Sequence, residues 1–528
     1  MYFRDHAVNA PERAAIIHAP TSSAITYGEL EARSNQVAQL FRLLCLHTGD
    51  HIALVMENNL QVPEVIAGAA RSGLYYTPVN SHLTAPEIGY VIADSAARVV
   101  FVSETLLDVM ADVVPMCPKV EHWYVMDVED PPSPFIGYHK ARNNSSPQPI
   151  SPERLGSAMM YSSGTTGRPK GILQPLPGVA PADSDAAVRM GRGLMKFRRG
   201  MTTLIPAPLY HAAPHAALAA CLQLGGTAVV MGRFDAHQVL VLIERHRVTH
   251  VQMVPTMFAR LLALPASVRT EYDLSSLEAV VHSAAPCPIP IKQKMIDWLG
   301  PIIYEYYGAT ESYGFTRCTS QEWLAHRGTV GRAVLGEIRI LDDAGIPCPT
   351  GEVGTVWFVG GSRFSYFGQA ADKSPTPGGP PGGRTVGDVG YLDADGYLYL
   401  TDRKDFMIVS GGVNIYPQEV EDVLMTFDEI EDAAVIGVPH DDFGEQVKAV
   451  VVLKNGFVET PDFRDRVTAH CRESLASFKC PRSVDVVDSL PRLETGKLAK
   501  HLIRDRYRAA VHAAAADSST TAGSELQP

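Results

Sequence analysis

A glycine- and hydroxyl-rich loop is the first segment of the chain with the side chains to bind an anion. The stretch YSSGTTGRPKGI, residues 161–172, has three glycines, four serine or threonine hydroxyls, one arginine and one lysine. Glycine amides can wrap an anion because no Cβ stands in the way, and the hydroxyls and the lysine add donors and a cation. The candidate phosphate-binding residues are Ser162, Ser163, Gly164, Thr165, Thr166, Gly167 and Lys170.

The spacing of this loop differs from that of a Walker A motif. A Walker A loop has the pattern G-x-x-x-x-G-K-[ST], whereas only two residues separate Gly164 from Gly167. A solvated connection between two elements has the same composition. This loop alone is therefore compatible with a plain connection or with a polyphosphate site, and the other motifs of the sequence are needed to distinguish the two.

The composition is typical of a soluble protein with more than one domain. The chain has 528 residues, of which 46% are hydrophobic and 20% charged, and this length exceeds one compact core. A formal net charge of −12 argues against nucleic acid as the main partner. The cysteines are scattered without a C-x-x-C pair, and the N-terminal MYFRDHAVNAPERAA is charged where a signal peptide is apolar. We therefore expect a cytoplasmic protein.

The most membrane-like run is HAALAACLQLGGTAVVMG, residues 215–232. Gln223 and the pair Gly225-Gly226 interrupt it, so we interpret it as a buried helix, a glycine stop and a core strand. The sequence therefore predicts no transmembrane segment.

Helical and strand patterns alternate through the first two thirds of the chain. Thr26-x-x-Glu29 has capping-box spacing ahead of a helical apolar repeat, and HIALVM and ARVVFVS are short runs rich in β-branched residues. This alternation predicts parallel sheets covered by helices on both faces. After about Leu335, closely spaced strands and the turn Asp343-Ala344-Gly345 predict a small antiparallel sheet or barrel. A further α/β unit begins near Asp405, with Pro417 at a helix start.

The full string YSSGTTGRPKG closely resembles the signature loop of the adenylate-forming superfamily, which includes acyl-CoA synthetases, peptide-synthetase adenylation domains and beetle luciferases. Further segments resemble the other motifs of that superfamily in the same order: HSAAPCP (282–288), YYGATES (306–312), TVGDVGYLDADGYLYLTDRKD (385–405) and PRLETGKLAK (491–500). The resemblance extends from about Ala14 to Arg506.

The resemblance assigns nucleotide-binding roles along these motifs. It implies that Tyr307 stacks on adenine, that Thr310 contacts phosphate, and that Glu311 and Thr166 hold Mg²⁺. An aromatic face suits a base and a carboxylate suits a hard cation, although a strand running into a turn would explain this segment alone. The remaining implied nucleotide residues are Ser283, Ala284, Ala285, Tyr306, Gly308, Asp388, Leu400 and Arg403, with Asp388 and Arg403 on the ribose. Without the resemblance, Asp388 would only open a turn and Arg403 would be a surface charge.

The C-terminal motif implies a catalytic lysine that a moving domain delivers. By resemblance, Lys497 bridges the attacking carboxylate and the α-phosphate, and Asp405 is the hinge of a rotating C-terminal domain. Gly411 and Gly412 then line a narrow channel for pantetheine. Lys500 departs from the arginine of many relatives but keeps the charge.

The segment LYHAAP, residues 209–214, resembles the one beside the acyl pocket. It makes His211 a candidate gate with a catalytic role, whereas a packed core histidine is the alternative. The predicted acid pocket comprises His211, Ala212, Ala213, Ser283, Tyr306 and Gly308. Small and apolar residues favour a hydrophobic acid (fatty, aromatic or polycyclic) over an amino acid, which would need an acidic partner for its ammonium.

Together these features predict an α/β protein. The expected architecture is a large N-terminal AMP-binding domain of parallel-sheet subdomains plus a small β-barrel (1–404), a mobile C-terminal α/β lid (405–510) and a disordered tail (511–528). The resemblance implies an AMP-forming acid:CoA ligase that uses ATP, Mg²⁺ and coenzyme A. The alternatives are a ligase for a stand-alone carrier protein, an amide synthetase and a non-catalytic nucleotide-binding relative. The sequence leaves the oligomeric state open.

Overall fold

The structure is a computed structural model that describes residues 2–161, 169–368, 379–403, 406–410, 413–440, 443–492 and 498–507. The chain forms two compact units, each discontinuous in sequence. The first unit contains residues 1–283, 299–320 and 361–374, and the second contains residues 284–298, 321–360 and 375–528. The predicted domain boundaries at residues 405 and 511 stay a prediction.

The helices and strands alternate along much of the chain. The α-helices are α1 Arg4–Asn9, α2 Tyr27–Leu43, α3 Gln61–Arg71, α4 Ala85–Asp94, α5 Leu107–Val113, α6 Tyr138–Asn143, α7 Ala186–Met195, α8 Ala212–Gln223, α9 Ala236–His246, α10 Pro255–Leu262, α11 Ala266–Arg269, α12 Ile289–Leu299, α13 Ser320–Ala325, α14 Pro417–Leu424 and α15 Phe463–Ser474. The strands before residue 310 are β1 Ala14–His18, β2 Ser23–Thr26, β3 His51–Val55, β4 Tyr75–Val79, β5 Ala97–Val102, β6 His122–Val125, β7 Phe135–Gly137, β8 Ser157–Ala158, β9 Met160–Tyr161, β10 Gly171–Leu173, β11 Thr202–Ile205, β12 Thr227–Val230, β13 His250–Met253, β14 Ala279–His282 and β15 Ile303–Gly308. The later strands are β16 Phe315–Thr319, β17 Arg332–Leu335, β18 Glu337–Leu341, β19 Gly354–Val359, β20 Ser365–Tyr366, β21 Gly383–Arg384, β22 Asp388–Leu392, β23 Leu398–Arg403, β24 Ile408–Ser410, β25 Val413–Ile415, β26 Ile430–His440, β27 Gly444–Leu453 and β28 Ser483–Val486.

The first unit is built on two mainly parallel sheets. One has the strand order β16-β15-β14-β13-β11-β12-β1-β2, with antiparallel pairs only at β15–β16 and β1–β2. The other is six-stranded, in the order β7-β6-β5-β3-β4-β8, and its strand pairs are parallel. The predicted α/β class is confirmed.

One apolar core joins the two sheets of the first unit. It contains Ile52 and Phe101 from the six-stranded sheet, Ile205 and Val281 from the other sheet, and Leu218 from α8. A second core covers the opposite face of the six-stranded sheet with helices α4 and α5. Helix α8 therefore lies in the layer between the sheets, where its side chains are surrounded by both.

A small three-stranded sheet, β20-β10-β9, also belongs to the first unit. Strand β10 is its centre, pairing antiparallel with β9 and with β20. This sheet brings residues 160–161, 171–173 and 365–366 together although they are far apart in sequence.

The second unit contains two smaller sheets. The antiparallel sheet β18-β19-β22-β23, with β21 beside β19, confirms the expected small antiparallel structure after Leu335. The other sheet, β25-β24-β27-β26 with β28 beside β27, packs against α14 and α15.

Local sequence signals account for several element boundaries. Thr26 and Glu29 form the predicted capping box at the start of α2, and Pro417 occupies the first turn of α14. The run 215–232 forms the end of α8, a turn at Gly225 with φ +69°, and β12, as predicted. Within the described residues no helix is both long and apolar enough to cross a membrane.

Candidate functional site

The ends of the glycine-rich loop lie on adjacent strands. Residues 162–168 fall outside the described residues, so the predicted roles of Ser162, Ser163, Gly164, Thr165, Thr166 and Gly167 stay predictions. Tyr161 pairs with Gly171 across β9 and β10, which brings the two ends of the loop together. A Cβ at Gly171 would lie 3.2 Å from the Tyr161 ring, so glycine suits this crossing. The Tyr161 hydroxyl donates to Asp94 at 2.6 Å and anchors the entry strand.

Tyr366 connects two of the predicted phosphate-site residues. Its hydroxyl donates to Glu311 Oε1 at 3.0 Å, and the Lys170 ammonium lies 5.3 Å from its ring centroid. The β10–β20 pairing places Tyr366 opposite Ile172, two residues after Lys170. Gln174 also donates to the Glu311 carbonyl oxygen at 2.9 Å. Lys170, Tyr366 and Glu311 therefore form one connected group, which we name the phosphate edge.

The phosphate edge offers one buried carboxylate to a metal. Glu311 is 6% exposed, and its carboxylate accepts a hydrogen bond from the neutral Tyr366 hydroxyl. Mg²⁺ is commonly held by one or two carboxylates, substrate phosphates and water. Among the described residues, no group of three or more His, Cys, Asp or Glu side chains is arranged to enclose a metal. The donor set therefore fits a Mg²⁺ ion that arrives with the nucleotide.

The predicted adenine segment follows the end of β14. Ser283 is buried, Tyr306 hydrogen-bonds it, and burial raises the pKa of Tyr306. Ala284 adopts a left-handed φ of +74°, which is uncommon for a residue other than glycine and occurs often at binding sites. At Gly308, an added Cβ would lie 2.3 Å from the Phe315 ring, so a side chain there has no room. Ala285 and Tyr307 are half-buried, whereas Thr310 is exposed at the turn.

A buried histidine and carboxylate lie on the opposite face of these strands. His282 and Glu305 are register partners in β14 and β15, with His282 Nε2 3.6 Å from Glu305 Oε2. The Phe258 ring packs edge-on against His282 at 5.2 Å. Because side chains alternate along a strand, this pair faces away from Ser283 and Tyr306. Sequence analysis did not identify it.

The predicted ribose residues lie in the second unit. Asp388 is buried in β22 and is the register partner of Arg403 in β23, and Leu400 lies on the same strand opposite Gly390. The strand register therefore places the two predicted ribose positions directly opposite each other.

His211 begins the helix that the sequence placed beside the acyl pocket. It is the N-cap residue of α8, its ring lies 4.6 Å from that of Tyr210, and Ala212 and Ala213 follow in the first turn, half-buried. The His211 Nε2 atom is buried and has no hydrogen-bond partner among the described residues. Burial lowers the pKa of His211 to about 4, so its imidazole is neutral near pH 7.

One turn further along α8, His215 pairs with Tyr76 of β4. Tyr76 Oη and His215 Nε2 lie 3.0 Å apart, and both side chains are more than nine-tenths buried. Burial lowers the pKa of His215 to about 4 and raises the pKa of Tyr76. Sequence analysis missed both residues, because neither belongs to a recognised motif. The His215 position one turn after His211 was the only available signal.

The predicted catalytic lysine and hinge lie outside the described residues. Those positions are Lys497, Asp405, Gly411 and Gly412, and their assigned roles stay predictions. An isolated bridge between Arg492 and Leu498 closes the segment that contains Lys497, and Arg492 pairs with Asp432 at 2.6 Å. Lys500 pairs with Glu421 at 2.9 Å, and both are 8% exposed. The lysine at position 500 therefore makes a buried ion pair immediately after the predicted catalytic segment.

Comparisons with known proteins identify the family of this chain. Residues 3–365 match the model of the AMP-binding enzyme family, and residues 419–497 match the AMP-binding enzyme C-terminal domain. The chain is 32% identical to a feruloyl-CoA synthase of an Amycolatopsis species over 94% of this chain and 96% of that protein. It is 29% identical to the long-chain-fatty-acid–CoA ligase FadD13 of Mycobacterium tuberculosis over 96% and 98% of the two chains.

A solved structure shows the same fold over nearly the whole chain. ATP-bound MatB from Rhodopseudomonas palustris superposes with a TM-score of 0.82 at 26% identity, covering 95% of this chain and 97% of MatB. The family match, the relatives and this structure agree. The chain belongs to the AMP-binding enzyme family of the adenylate-forming superfamily, and it is an AMP-forming acyl-CoA synthetase.

Proposed function

We propose that this synthetase activates a hydrophobic carboxylic acid with ATP and transfers the resulting acyl group to coenzyme A. The observation that carries the proposal is the phosphate edge, in which Tyr366 joins the Glu311 carboxylate to the Lys170 ammonium beside the glycine-rich loop. In the same unit, helix α8 and its N-cap residue carry neutral histidines and small alanines, which we assign to the acid.

The first step joins two anions, so the protein has to neutralise charge. A carboxylate oxygen of the acid attacks the α-phosphorus of ATP, the bond to the β-phosphate oxygen breaks, and pyrophosphate leaves with the electron pair. We assign Lys497 to the attacking carboxylate and α-phosphate, and Lys170 with Thr165 and Thr166 to the departing pyrophosphate. A bound Mg²⁺ would be held by Glu311 and Thr166 and would supply charge neutralisation on the phosphate oxygens.

The second step transfers the acyl group to a thiol. The sulfur of coenzyme A attacks the acyl carbon, the bond to the adenylate oxygen breaks, and AMP leaves. We propose that Asp405 is the hinge that moves Lys497 away between the two steps, and that Gly411 and Gly412 leave space for the pantetheine chain. In this proposal, the domain of residues 405–510 moves relative to the domain of residues 1–404. We also propose that the reaction takes place in the cytoplasm.

The acid is hydrophobic because the described groups on α8 are neutral. Ala212 and Ala213 are small, and burial keeps the His211 imidazole uncharged near pH 7. The ammonium of an amino acid would require a carboxylate in the pocket. The curated relatives named for a long-chain fatty acid and for a feruloyl group support a range of apolar acids.

A screen of carboxylic acids tests the proposed function. The full-length enzyme is incubated with ATP, Mg²⁺ and each acid, with and without coenzyme A, and AMP, pyrophosphate and thioester are measured. We expect AMP and thioester to form in equal amounts with at least one fatty, aromatic or polycyclic acid. Amino acids as the best substrates would contradict the proposed substrate class. Adenylate formation without thioester for every acid would contradict coenzyme A as acceptor.

Replacement of Lys497 tests the proposed catalytic role. Lys497→Ala removes the mobile cation, so adenylate formation should fall by about 10²–10³-fold. The thermal unfolding midpoint checks that the variant folds, and Lys454→Ala, at an exposed lysine of the same unit, is the matched control. Adenylate formation by Lys497→Ala at the wild-type rate would disprove the assignment.

A further inference from the structure

Helix α8 carries two buried imidazole nitrogens without a hydrogen-bond partner among the described residues. They are His211 Nε2 and His215 Nδ1. His211 is the N-cap residue, and the backbone N–H of His215 donates to the His211 carbonyl oxygen at 3.1 Å, so the two residues lie one helical turn apart. Buried polar atoms in native proteins are nearly always hydrogen-bonded, and an exception calls for an explanation.

The pair formed by Tyr76 and His215 uses only one side of the imidazole. A neutral imidazole has one donor nitrogen and one acceptor nitrogen, and the Tyr76 hydroxyl occupies the Nε2 atom at 3.0 Å. Whichever of the two atoms donates, His215 Nδ1 keeps one unused hydrogen-bonding site. Leaving such a site unpaired in a buried position destabilises the folded protein.

Small side chains lie beside these histidines. Ala212 and Ala213 lie between His211 and His215 in the chain and are half-buried, whereas the core residues Ala217 and Leu218 are fully buried. These side chains are small, and they belong to the segment predicted to line the acyl pocket.

The two imidazoles are also uncharged. Burial, the largest contribution for both, lowers their pKa to about 4. A neutral imidazole suits a ketone, a hydroxyl or an ether, whereas a second carboxylate would bring a buried negative charge without a cation from these residues.

We propose that His215, oriented by Tyr76, hydrogen-bonds a neutral oxygen substituent of the acid, located about one helical turn beyond the part of the acid that contacts His211. The substrate class is then a hydrophobic acid that carries a ketone, hydroxyl or ether in its distal part. This inference rests on the proposed function and narrows its substrate class. Tyr76 is a positioning residue, because it acts through His215.

Matched pairs of acids test this inference in the full-length enzyme. Each pair shares one carbon skeleton, and one member carries a ketone or hydroxyl where the other carries a methylene or hydrogen. The quantity compared is the ratio of kcat/KM for the two members, from AMP release with coenzyme A. In at least one pair we expect the wild-type enzyme to prefer the oxygenated acid by about 10- to 100-fold, the usual value of one well-placed hydrogen bond.

Variants at position 215 separate recognition from packing. His215→Phe keeps the ring volume but removes both nitrogens. The ratio of kcat/KM should therefore fall to within about twofold of one, mainly because kcat/KM for the acid without the oxygen rises relative to that of its partner. His215→Asn keeps a hydrogen-bonding group near the Nδ1 position and should retain part of the preference. Tyr76→Phe removes the orienting hydroxyl and should lower the ratio by less. A purely structural role of the pair would lower kcat/KM for both acids equally and leave the ratio unchanged.

His250→Gln is the matched control. His250 is also a buried histidine with a lowered pKa in the first unit, but it is fully engaged with Thr249 and the Lys196 carbonyl. Its replacement should leave the acid ratio at the wild-type value. If no pair shows a preference for the oxygenated acid, or if His215→Phe keeps the wild-type ratio, the inference is wrong. The proposed ligase activity would still stand in that case, because AMP and thioester formation are scored separately.

Discussion

The phosphate edge and helix α8 belong to the same unit but differ in the chemistry of their side chains. At the phosphate edge, a lysine and a buried glutamate are joined through Tyr366. On α8, neutral imidazoles and alanines line one face, and a tyrosine orients the second imidazole. The first region is built on charge and the second on neutral hydrogen-bonding atoms in an apolar surrounding.

The difference matches the ligands that we propose for the two regions, the triphosphate for the phosphate edge and the acid for α8. Triphosphate is the same in every reaction of the family, carries several negative charges and has to leave as pyrophosphate, so mobile cations and a metal-binding carboxylate suit it. The acid differs from one enzyme to the next, and its distal part is uncharged in the substrates we propose. Discrimination between such acids depends on shape and on single hydrogen bonds. Changes at the phosphate edge should therefore affect every acid alike, whereas changes on α8 should alter the ranking of acids.

The largest expected effect comes from the carboxylate of the phosphate edge. Glu311→Gln removes the charge that we assign to Mg²⁺ but keeps the shape, so adenylate formation should fall by about 10²–10³-fold for every acid tested. The ratio of kcat/KM between two acids should remain at the wild-type value. Glu271→Gln, at an exposed carboxylate of the same unit, is the control. A changed ranking of acids in Glu311→Gln would break the division between the two regions.

A smaller effect is expected from the hydroxyl that joins the phosphate edge. Tyr366→Phe keeps the ring beneath Lys170 but removes the hydrogen bond to Glu311. A hydrogen bond to a charged group contributes about 1.5–3 kcal/mol, so adenylate formation should slow by about 10- to 100-fold. Equilibrium binding of ATP at increasing Mg²⁺ should require more Mg²⁺ in this variant. An unchanged Mg²⁺ dependence would show that Tyr366 does not orient Glu311.

The smallest effect concerns the dependence of stability on pH. The pKa of His215 is about 4 in the folded chain and 6.5 as a model value for the unfolded chain. At a pH between these two pKa values, the unfolded chain binds more protons than the folded chain. The free energy of unfolding should therefore fall as the pH drops from about 6.5 toward 4. His215→Phe removes this contribution. Denaturant unfolding at pH 7.5 and pH 5 should therefore show a smaller loss of stability in the variant than in the wild type. An equal loss in both would mean that His215 is already protonated in the folded state.

The sequence predicted much of the phosphate edge because its parts lie in contiguous motifs. Lys170 and Glu311 each sit in a short string with a recognisable order of residues. Tyr366 was missed, although it contacts both, because its position depends on the β10–β20 pairing, and Glu311 is 55 residues away along the chain. A sequence pattern contains no record of which distant strands pair.

The residues around helix α8 were harder to predict from the sequence, for a related reason. His211 could be named from its motif, but the Tyr76–His215 pair joins residues 139 positions apart in different elements. In the sequence each of them resembles an ordinary core residue. The element types, the capping of α2, the glycine stop after α8 and the antiparallel sheet of the second unit were predicted correctly, because local propensity and period determine them.

The pairing of β10 with β20 also affects when this sheet can form during synthesis of the chain. A ribosome releases the glycine-rich loop and its exit strand long before it releases Tyr366, which completes the three-stranded sheet. Until that later segment emerges, Lys170 has no aromatic ring to lie against and Glu311 has no hydroxyl partner from β20. A nascent chain that ends before residue 365 therefore contains Lys170 and Glu311 without the strand that connects them.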